Sequence, residues 1–254
     1  MQQIDLNADL GESYGPWRMG DDAALMRIIT SANIACGGHA GDPETMVAAV
    51  RMALHNGVAI GAHPGYADRL GFGRRVIPMP PAEAARMAVA QVGALVALAR
   101  MEGARVAYVK PHGALANLAA ADPALAEAMA EALQAAFPDL AVLAISGTRL
   151  EQAARARGMR VYSEIFADRG YQANGQLVPR GQPGDLIHDP DEAAERLLGF
   201  LASGQMPCVG GGTVALAAQS ICVHGDGPSA VAMAAALRDR LTAAGLTLTS
   251  FSAA

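Results

Sequence analysis

The sequence predicts a (β/α) barrel of about seven parallel strands, and three observations carry that prediction. Short apolar runs alternate with long helical patterns along the chain, the order expected of parallel strands joined by right-handed crossovers. The runs are continuously apolar, as strands covered on both faces should be. Nearly every run ends in a cluster of reactive side chains. Polar groups from all strands can converge only where the strands form a ring with its site at the C-terminal mouth.

The first run, QIDLNA (3–8), carries Asp5 and Asn7 and leads to Asp9 and Glu12. ANIA (32–35) leads to Cys36, His39 and Asp42, and VAIGA (58–62) to His63 and Asp68. VAYVK (106–110) ends on Lys110, with His112 beyond, and LAVLAI (140–145) ends at Ser146. VYSEI (161–165) carries Glu164 and leads to Asp168 and Arg169, and SICVH (220–224) reaches His224 and Asp226. Between them, Asp42-Pro43-Glu44 reads as an N-cap, a first-turn proline and an acidic first turn, with Gly57 as the stop. Further helices are expected from Pro80-Pro81 to Gly103, from Asp122-Pro123, and up to Gly158. GLTLTSF (245–251) is a candidate eighth strand. Two small β-hairpin insertions are expected on the rim. YQANGQLVPR (171–180) turns at its Asn-Gly, and MPCVGGGTVAL (206–216) at its glycines. The latter runs into a strand rather than a helix N-terminus, which argues against a phosphate cradle at Gly210–Gly212.

At 254 residues and 52% hydrophobic content, the chain suits one barrel domain spanning 1–254 with a large core. A net charge of −5 argues against nucleic-acid and anionic-membrane partners. MQQIDLNADL has neither the basic region nor the apolar run of a signal peptide. MAVAQVGALVALARM (87–101) is interrupted by Gln91 and reads as a buried helix too short to span a bilayer, so a cytoplasmic location is expected. Cys36, Cys208 and Cys222 are odd in number and unpaired by spacing, which points away from disulfides and structural zinc. Neither GxGxxG after the first strand nor GxxxxGK[ST] occurs.

Asp9, crowded by Asp5 and Glu12, is the expected general base with a raised pKa. Lys110, at the end of a buried strand, must meet a substrate oxygen or a carboxylate such as Asp5 or Glu164. Either Arg169 or Arg180 suits a bidentate grip on a carboxylate. Gly37, Gly38 and Gly41 are expected to bring backbone close to a small ligand and aim His39 over the mouth. Cys36 is either a nucleophile beside His39 or a small hydrophobe.

The motifs DLNADLGES, ANIACGGHAGD, GAHPGYAD, KPHGALAN, EIFADRGY and ICVHGD stand in this order from Asp5 onward. In this the chain resembles the 5-oxoprolinase A-subunit family, also called the LamB/YcsF family. The resemblance implies a seven-stranded barrel like those of glycoside hydrolases and carbohydrate deacetylases. It also implies ATP-dependent opening of 5-oxo-L-proline to L-glutamate together with subunits B and C, with ATP and Mg2+ handled mainly by those partners. On that reading Asp9, His39, Lys110, His112 and Glu164 are catalytic, and Asn7, Asn33, His63, Arg169 and Arg180 bind substrate. Asp9, His63 and His112 resemble the metal triad of related deacetylases. Those enzymes carry two adjacent aspartates, whereas Leu10 follows Asp9 here, so no metal is assigned and activity without a transition metal is expected. Two other functions stay open: a stand-alone metal-dependent deacetylase or amidohydrolase, and a non-catalytic substrate-binding subunit.

Overall fold

Along Gln3–Leu10 successive side chains enter two different surroundings, and this alternation builds the protein. Ile4, Leu6, Ala8 and Leu10 join the main apolar core, while Asp5, Asn7 and Asp9 are buried polar residues on the opposite face. In the computed structural model, which describes residues 3–224 and 230–252, that polar face lines the inside of a barrel.

The elements run β1 (Gln3–Leu10), α1 (Asp22–Leu25), β2 (Ser31–Ala35), α2 (Pro43–Asn56), β3 (Ala59–His63), α3 (Pro81–Met101), β4 (Val106–Val109) and α4 (Gly113–Ala121). There follow α5 (Pro123–Ala136), β5 (Ala141–Ile145), α6 (Arg149–Ala156), β6 (Val161–Phe166), α7 (Pro190–Ser203), β7 (Gln205–Pro207), β8 (Thr213–Ala215), β9 (Ser220–Val223), α8 (Ala230–Ala243) and β10 (Thr247–Leu248). Parallel pairing passes β1–β2–β3–β4–β5–β6–β9 and returns from β9 to β1, which closes a ring of seven strands. Each of the seven predicted runs supplies one of them. Asp226, predicted beyond the last strand, lies outside the described residues.

The helix signals act as their chemistry dictates. Asp42 accepts the Thr45 N–H at 2.8 Å, Pro43 opens α2, and Gly57 ends it at φ 66°. Asp122 caps α5 in the same way. Helix α3 occupies the stretch expected between Pro81 and Gly103, but it is not too short to span a bilayer. Its 21 residues suffice in length and composition to cross a membrane, yet Ala84, Ala88, Val92, Leu95 and Ala99 are buried and the helix packs along α5.

The candidate eighth strand lies outside the ring. Among the described residues β10 pairs only with Gln3 and Ile4 at the start of β1. The chain then carries Phe251 beneath the barrel, 5.0 Å from Tyr108 and 4.4 Å from Tyr162 between ring centres. This aromatic group plugs the N-terminal end, so the open end is the C-terminal mouth. Of the two predicted hairpins, residues 206–216 form the antiparallel pair β7–β8. Residues 171–180 turn at Asn174-Gly175 but keep only the single bridge Tyr171–Leu177.

Candidate active site

The polar face of β1 sets the first half of the site. Asp5, deepest, accepts from Thr30 and Ser31 at 2.6 Å each, and from Ser220. Burial pushes its carboxyl up to about 6 despite those hydrogen bonds. Asp5 does not reach Lys110; Ser220 links it instead to Asn7, whose amide donates to the Ser220 hydroxyl at 2.7 Å. Asn7 also donates to Glu164 Oε1 at 2.9 Å, and Asn33 donates to Asn7 and to Asp9 Oδ1 at 2.7 and 2.8 Å. Both asparagines, expected to bind substrate, therefore lie beneath the cavity and brace the charged layer above them.

That layer centres on Lys110. Its ammonium lies 3.0 Å from Asp9 Oδ1, 3.0 Å from Glu164 Oε1 and 3.0 Å from Cys222 Sγ. For Asp9, burial acts to raise the pKa, but His63 and Lys110 outweigh it and hold the carboxyl well below the ordinary range. The predicted raised pKa is thus reversed. The acids expected to crowd Asp9 are engaged elsewhere, Asp5 lower in the barrel and Glu12 with histidines, while Lys110 and His63 face it. The same pairing holds Lys110 charged: burial opposes the ammonium, and Asp9 chiefly overcomes it. Glu164 goes the other way. Burial raises its pKa more than Lys110 lowers it, and its Oε2 is buried with no hydrogen-bond partner among the described residues.

The second half is a nest of imidazoles. His63, at the end of β3, places Nδ1 2.7 Å from the Lys110 carbonyl, and His112, ahead of α4, places Nε2 2.9 Å from the Phe72 carbonyl. Phe72 is held at φ 53°, a conformation costing about 1–3 kcal/mol in a bulky residue, and so presents that carbonyl. His39 Nε2 lies 3.0 Å from Glu12 Oε1. Its ring stacks on His112 with centres 3.6 Å apart and planes within 3°. Gly73 permits the stack, since a Cβ there would lie 2.6 Å from the His39 Cβ. Burial and the neighbouring imidazoles push the His112 pKa down to about 3 and hold His39 well below its usual range.

His39 does not stand over the mouth as predicted: it is 1% exposed and buried beneath the loop 65–73. The glycines of its loop approach protein rather than ligand. A Cβ at Gly41 would lie 3.0 Å from the Ala35 carbonyl, and Gly38 packs on Gln91. Cys36 is the small hydrophobe of the two alternatives, its thiol pushed up to about 12 by burial.

A cavity of about 480 Å³ opens above both halves, lined among others by Asp9, His63, Lys110, His112, Glu164 and Arg180. Arg169 also touches it, but its guanidinium donates to the Asp185 and Val178 carbonyls at 2.9 and 2.6 Å, and burial lowers its pKa to about 10. It fastens the 171–185 loop. Arg180 is exposed and makes no hydrogen bond among the described residues.

Three groups were not singled out for roles by the sequence. His224 lines the cavity, stacks on Phe166 and places Nδ1 2.7 Å from Asp168 Oδ2. Burial acts to raise the Asp168 pKa, but the His224 charge and hydrogen bond lower it overall. Cys222 touches the lysine. Glu12 joins His39, His63 and His112, one ligand-capable atom from each lying within 4.8 Å of the others. The deacetylase-like set Asp9, His63 and His112 is therefore not the one drawn together most closely, because Lys110 and Asn33 hold Asp9 Oδ1. The signals for Glu12 and the His224 pair lay in DLGE and ADR…VHG, but nothing in the spacing tied them to particular partners.

Comparison with known proteins agrees with this architecture. The 5-oxoprolinase A-subunit of Azorhizobium caulinodans is 50% identical over 251 residues, covering 99% of both chains. The solved lactam utilization protein of Thermus thermophilus superposes with a TM-score of 0.92 at 43% identity, covering 99% of this chain and 100% of that one. The catalytic domain of a peptidoglycan N-acetylglucosamine deacetylase from Eubacterium rectale shares the fold alone, at a TM-score of 0.53 and 10% identity over 100% of this chain and 90% of that one. The LamB/YcsF family model matches residues 4–254, and the chain belongs to the LamB/YcsF family.

Proposed function

We propose that this chain is the A-subunit of an ATP-dependent 5-oxoprolinase and carries the site where 5-oxo-L-proline is opened to L-glutamate. The observation that carries the reading is the end-to-end 50% identity to a protein of that name. The charge pattern of the cavity supports it. A five-membered lactam is a stabilised amide, and a carboxylate held as strongly ionised as Asp9 is always ready to take a proton yet is a weak base. Water attack then needs a strongly activated ring carbon, and phosphorylation of the amide oxygen by ATP supplies that activation. ATP and Mg2+ are handled by subunits B and C in the cytoplasm, consistent with a sequence holding no P-loop pattern.

In this mechanism Arg180 holds the substrate carboxylate at the mouth, and Lys110 faces the negative charge of the phosphorylated ring oxygen. Water adds to the ring carbon and gives a proton to Asp9. The carbon–nitrogen bond breaks as the ring nitrogen receives a proton, and Glu164 suits that donation; the acyl phosphate so formed is cleaved by a second water to glutamate and inorganic phosphate. Its pKa is raised by burial, and its partnerless Oε2 belongs to a residue that lines the cavity. His224, fixed by Asp168, is a second proton carrier on the same cavity.

The test is 5-oxoproline turnover with MgATP by the chain alone, by the chain with both partners, and by the assembled Asp9→Asn variant. Glutamate release is expected only from the wild-type complex, with turnover in Asp9→Asn reduced at least about 100-fold. Near-normal turnover in that variant would remove Asp9 from the chemistry and favour a binding-only subunit.

A further inference from the structure

The hydrogen bonds of the histidine nest fix where its protons are. Carbonyl oxygens only accept, so His63 donates from Nδ1 to Lys110 and His112 donates from Nε2 to Phe72. In the neutral rings this leaves lone pairs on His63 Nε2 and His112 Nδ1. Those two atoms face each other at 3.0 Å. Asp9 Oδ2 lies 3.3 Å from the first, and Glu12 Oε1 lies 3.7 Å from the second. Four ligand-capable atoms therefore converge from residues at most 8% exposed. One cation placed among them would be shared by all four.

We propose that Glu12 Oε1, His63 Nε2 and His112 Nδ1 bind one divalent transition-metal ion, with Zn2+ the best match to the donor set. A tetrahedral ion with bonds of about 2.1 Å separates its ligands by about 3.4 Å. The observed approaches fit: 3.0 Å between the histidine nitrogens and 3.7 Å between His112 and Glu12. The His63 and His112 rings meet at 88°, so one ion can lie near the plane of both. His39 is different. Its ring lies parallel to His112 at 3.6 Å, and an ion in the plane of one ring is out of the plane of the other. His39 is instead a positioning residue, donating Nε2–H to Glu12 Oε1 at 3.0 Å. The carbonyls behind His63 and His112 do the matching work of fixing tautomer and ring direction, as partners behind metal-bound histidines do. The expectation of a metal-free site rested on Leu10 standing after Asp9. Gly11, at φ 67°, turns the chain so that Glu12 supplies the carboxylate instead.

Asp9, His63 and His112 line the cavity, so the remaining coordination positions face substrate and water. The ion would polarise the lactam oxygen and acidify the attacking water, which offsets the weakness of Asp9 as a base. That role rests on the lactam-hydrolase reading; the presence of the ion does not.

The test reads binding directly. Chelator-treated, desalted chain is titrated with Zn2+ by calorimetry and with Co2+ by visible absorption, followed by metal analysis after gel filtration. We expect one equivalent and a four- or five-coordinate Co2+ spectrum. Glu12→Gln and His112→Gln should each weaken binding more than about 100-fold, and His39→Gln, which keeps a donor, by about 10–100-fold. Glu12→Gln changes neither size nor shape, so it stands in if a histidine variant fails to fold. Failure of the wild-type chain to retain an equivalent, or retention unchanged in Glu12→Gln and His112→Gln, overturns the site. Metal bound without 5-oxoproline turnover by the complex would sink the proposed function and leave the site standing. Full turnover by metal-free complex would do the reverse for the ion's role.

Discussion

Replacing Lys110 by Met removes the one ammonium shared by Asp9 and Glu164, each 3.0 Å away, and it leaves both carboxylates buried. Breaking a buried ion pair from one side costs about 3–5 kcal/mol, because the orphaned charge remains. Here the cost depends on pH. Glu164 already has a raised pKa, so the folded protein holds its proton more tightly than the unfolded chain does. Without Lys110 that preference grows, and the variant loses stability as pH rises above the ordinary glutamate range, by up to about 1.4 kcal/mol per pH unit. The wild-type lysine behaves oppositely. Its pKa is raised, so its contribution is complete below the unfolded lysine value and constant through neutrality. Urea unfolding of both proteins should show a deficit of about 1 kcal/mol near pH 5 and about 3–5 kcal/mol near pH 8. Adding Glu164→Gln should recover part of the loss at the higher pH. A deficit equal at both pH values and untouched by Glu164→Gln would refute the shared-charge account.

Asp5, pushed up to about 6, gives the folded state an extra proton between the ordinary 3.8 and that value. Stability should therefore fall by roughly 3 kcal/mol as pH rises through this window, and Asp5→Asn should flatten the slope in urea titrations; an unchanged slope would contradict it. Arg180→Ala should raise KM for 5-oxoproline about 10- to 100-fold with little change in kcat, from the loss of a charge-assisted grip. Arg169→Ala should instead lower Tm, and steady-state kinetics with thermal melts separate the two. His224→Asn should lower kcat about 100-fold or more and remove one limb of the pH–rate profile; an intact profile would exclude His224 from proton transfer.

The barrel is legible in the sequence because its signals are local. Apolar runs, proline starts and glycine stops report their own neighbourhoods, and the seven strands and the caps at Asp42 and Asp122 follow from them. The site is legible as a set of strand ends but not as a set of partners. Sequence alone sets Asp9 against Asp5 and Glu12, its near neighbours, whereas its carboxylate answers to Lys110 and His63, 101 positions away in the first case. The glycines around His39 suggest room for a ligand, yet the space is filled by Gln91 and by backbone from β2. The fate of GLTLTSF is similar: its pattern is strand-like, but only ring closure by β9 against β1 leaves it outside the barrel.

The alternation along β1 also explains why so much charge is tolerated inside. Were the inward face apolar, the barrel would be a packed core; with Asp5, Asn7 and Asp9 there, every polar atom needs a partner from another strand. Thr30, Ser31 and Asn33 from the β2 side, Tyr108 and Lys110 from the β4 side, Glu164 from β6 and Ser220 and Cys222 from β9 supply those partners, so the hydrogen bonds run across the ring. The network is almost complete at the bottom, beneath Asn7 and above Phe251. Towards the mouth it stops being complete: Glu164 Oε2 lacks a partner among the described residues, and ring nitrogens of His63 and His112 face one another at 3.0 Å. His39 Nδ1, in the same histidine nest, also lacks a partner among the described residues. Glu164, His63 and His112 line the cavity, so these gaps lie where the proposed substrate and cation would bind.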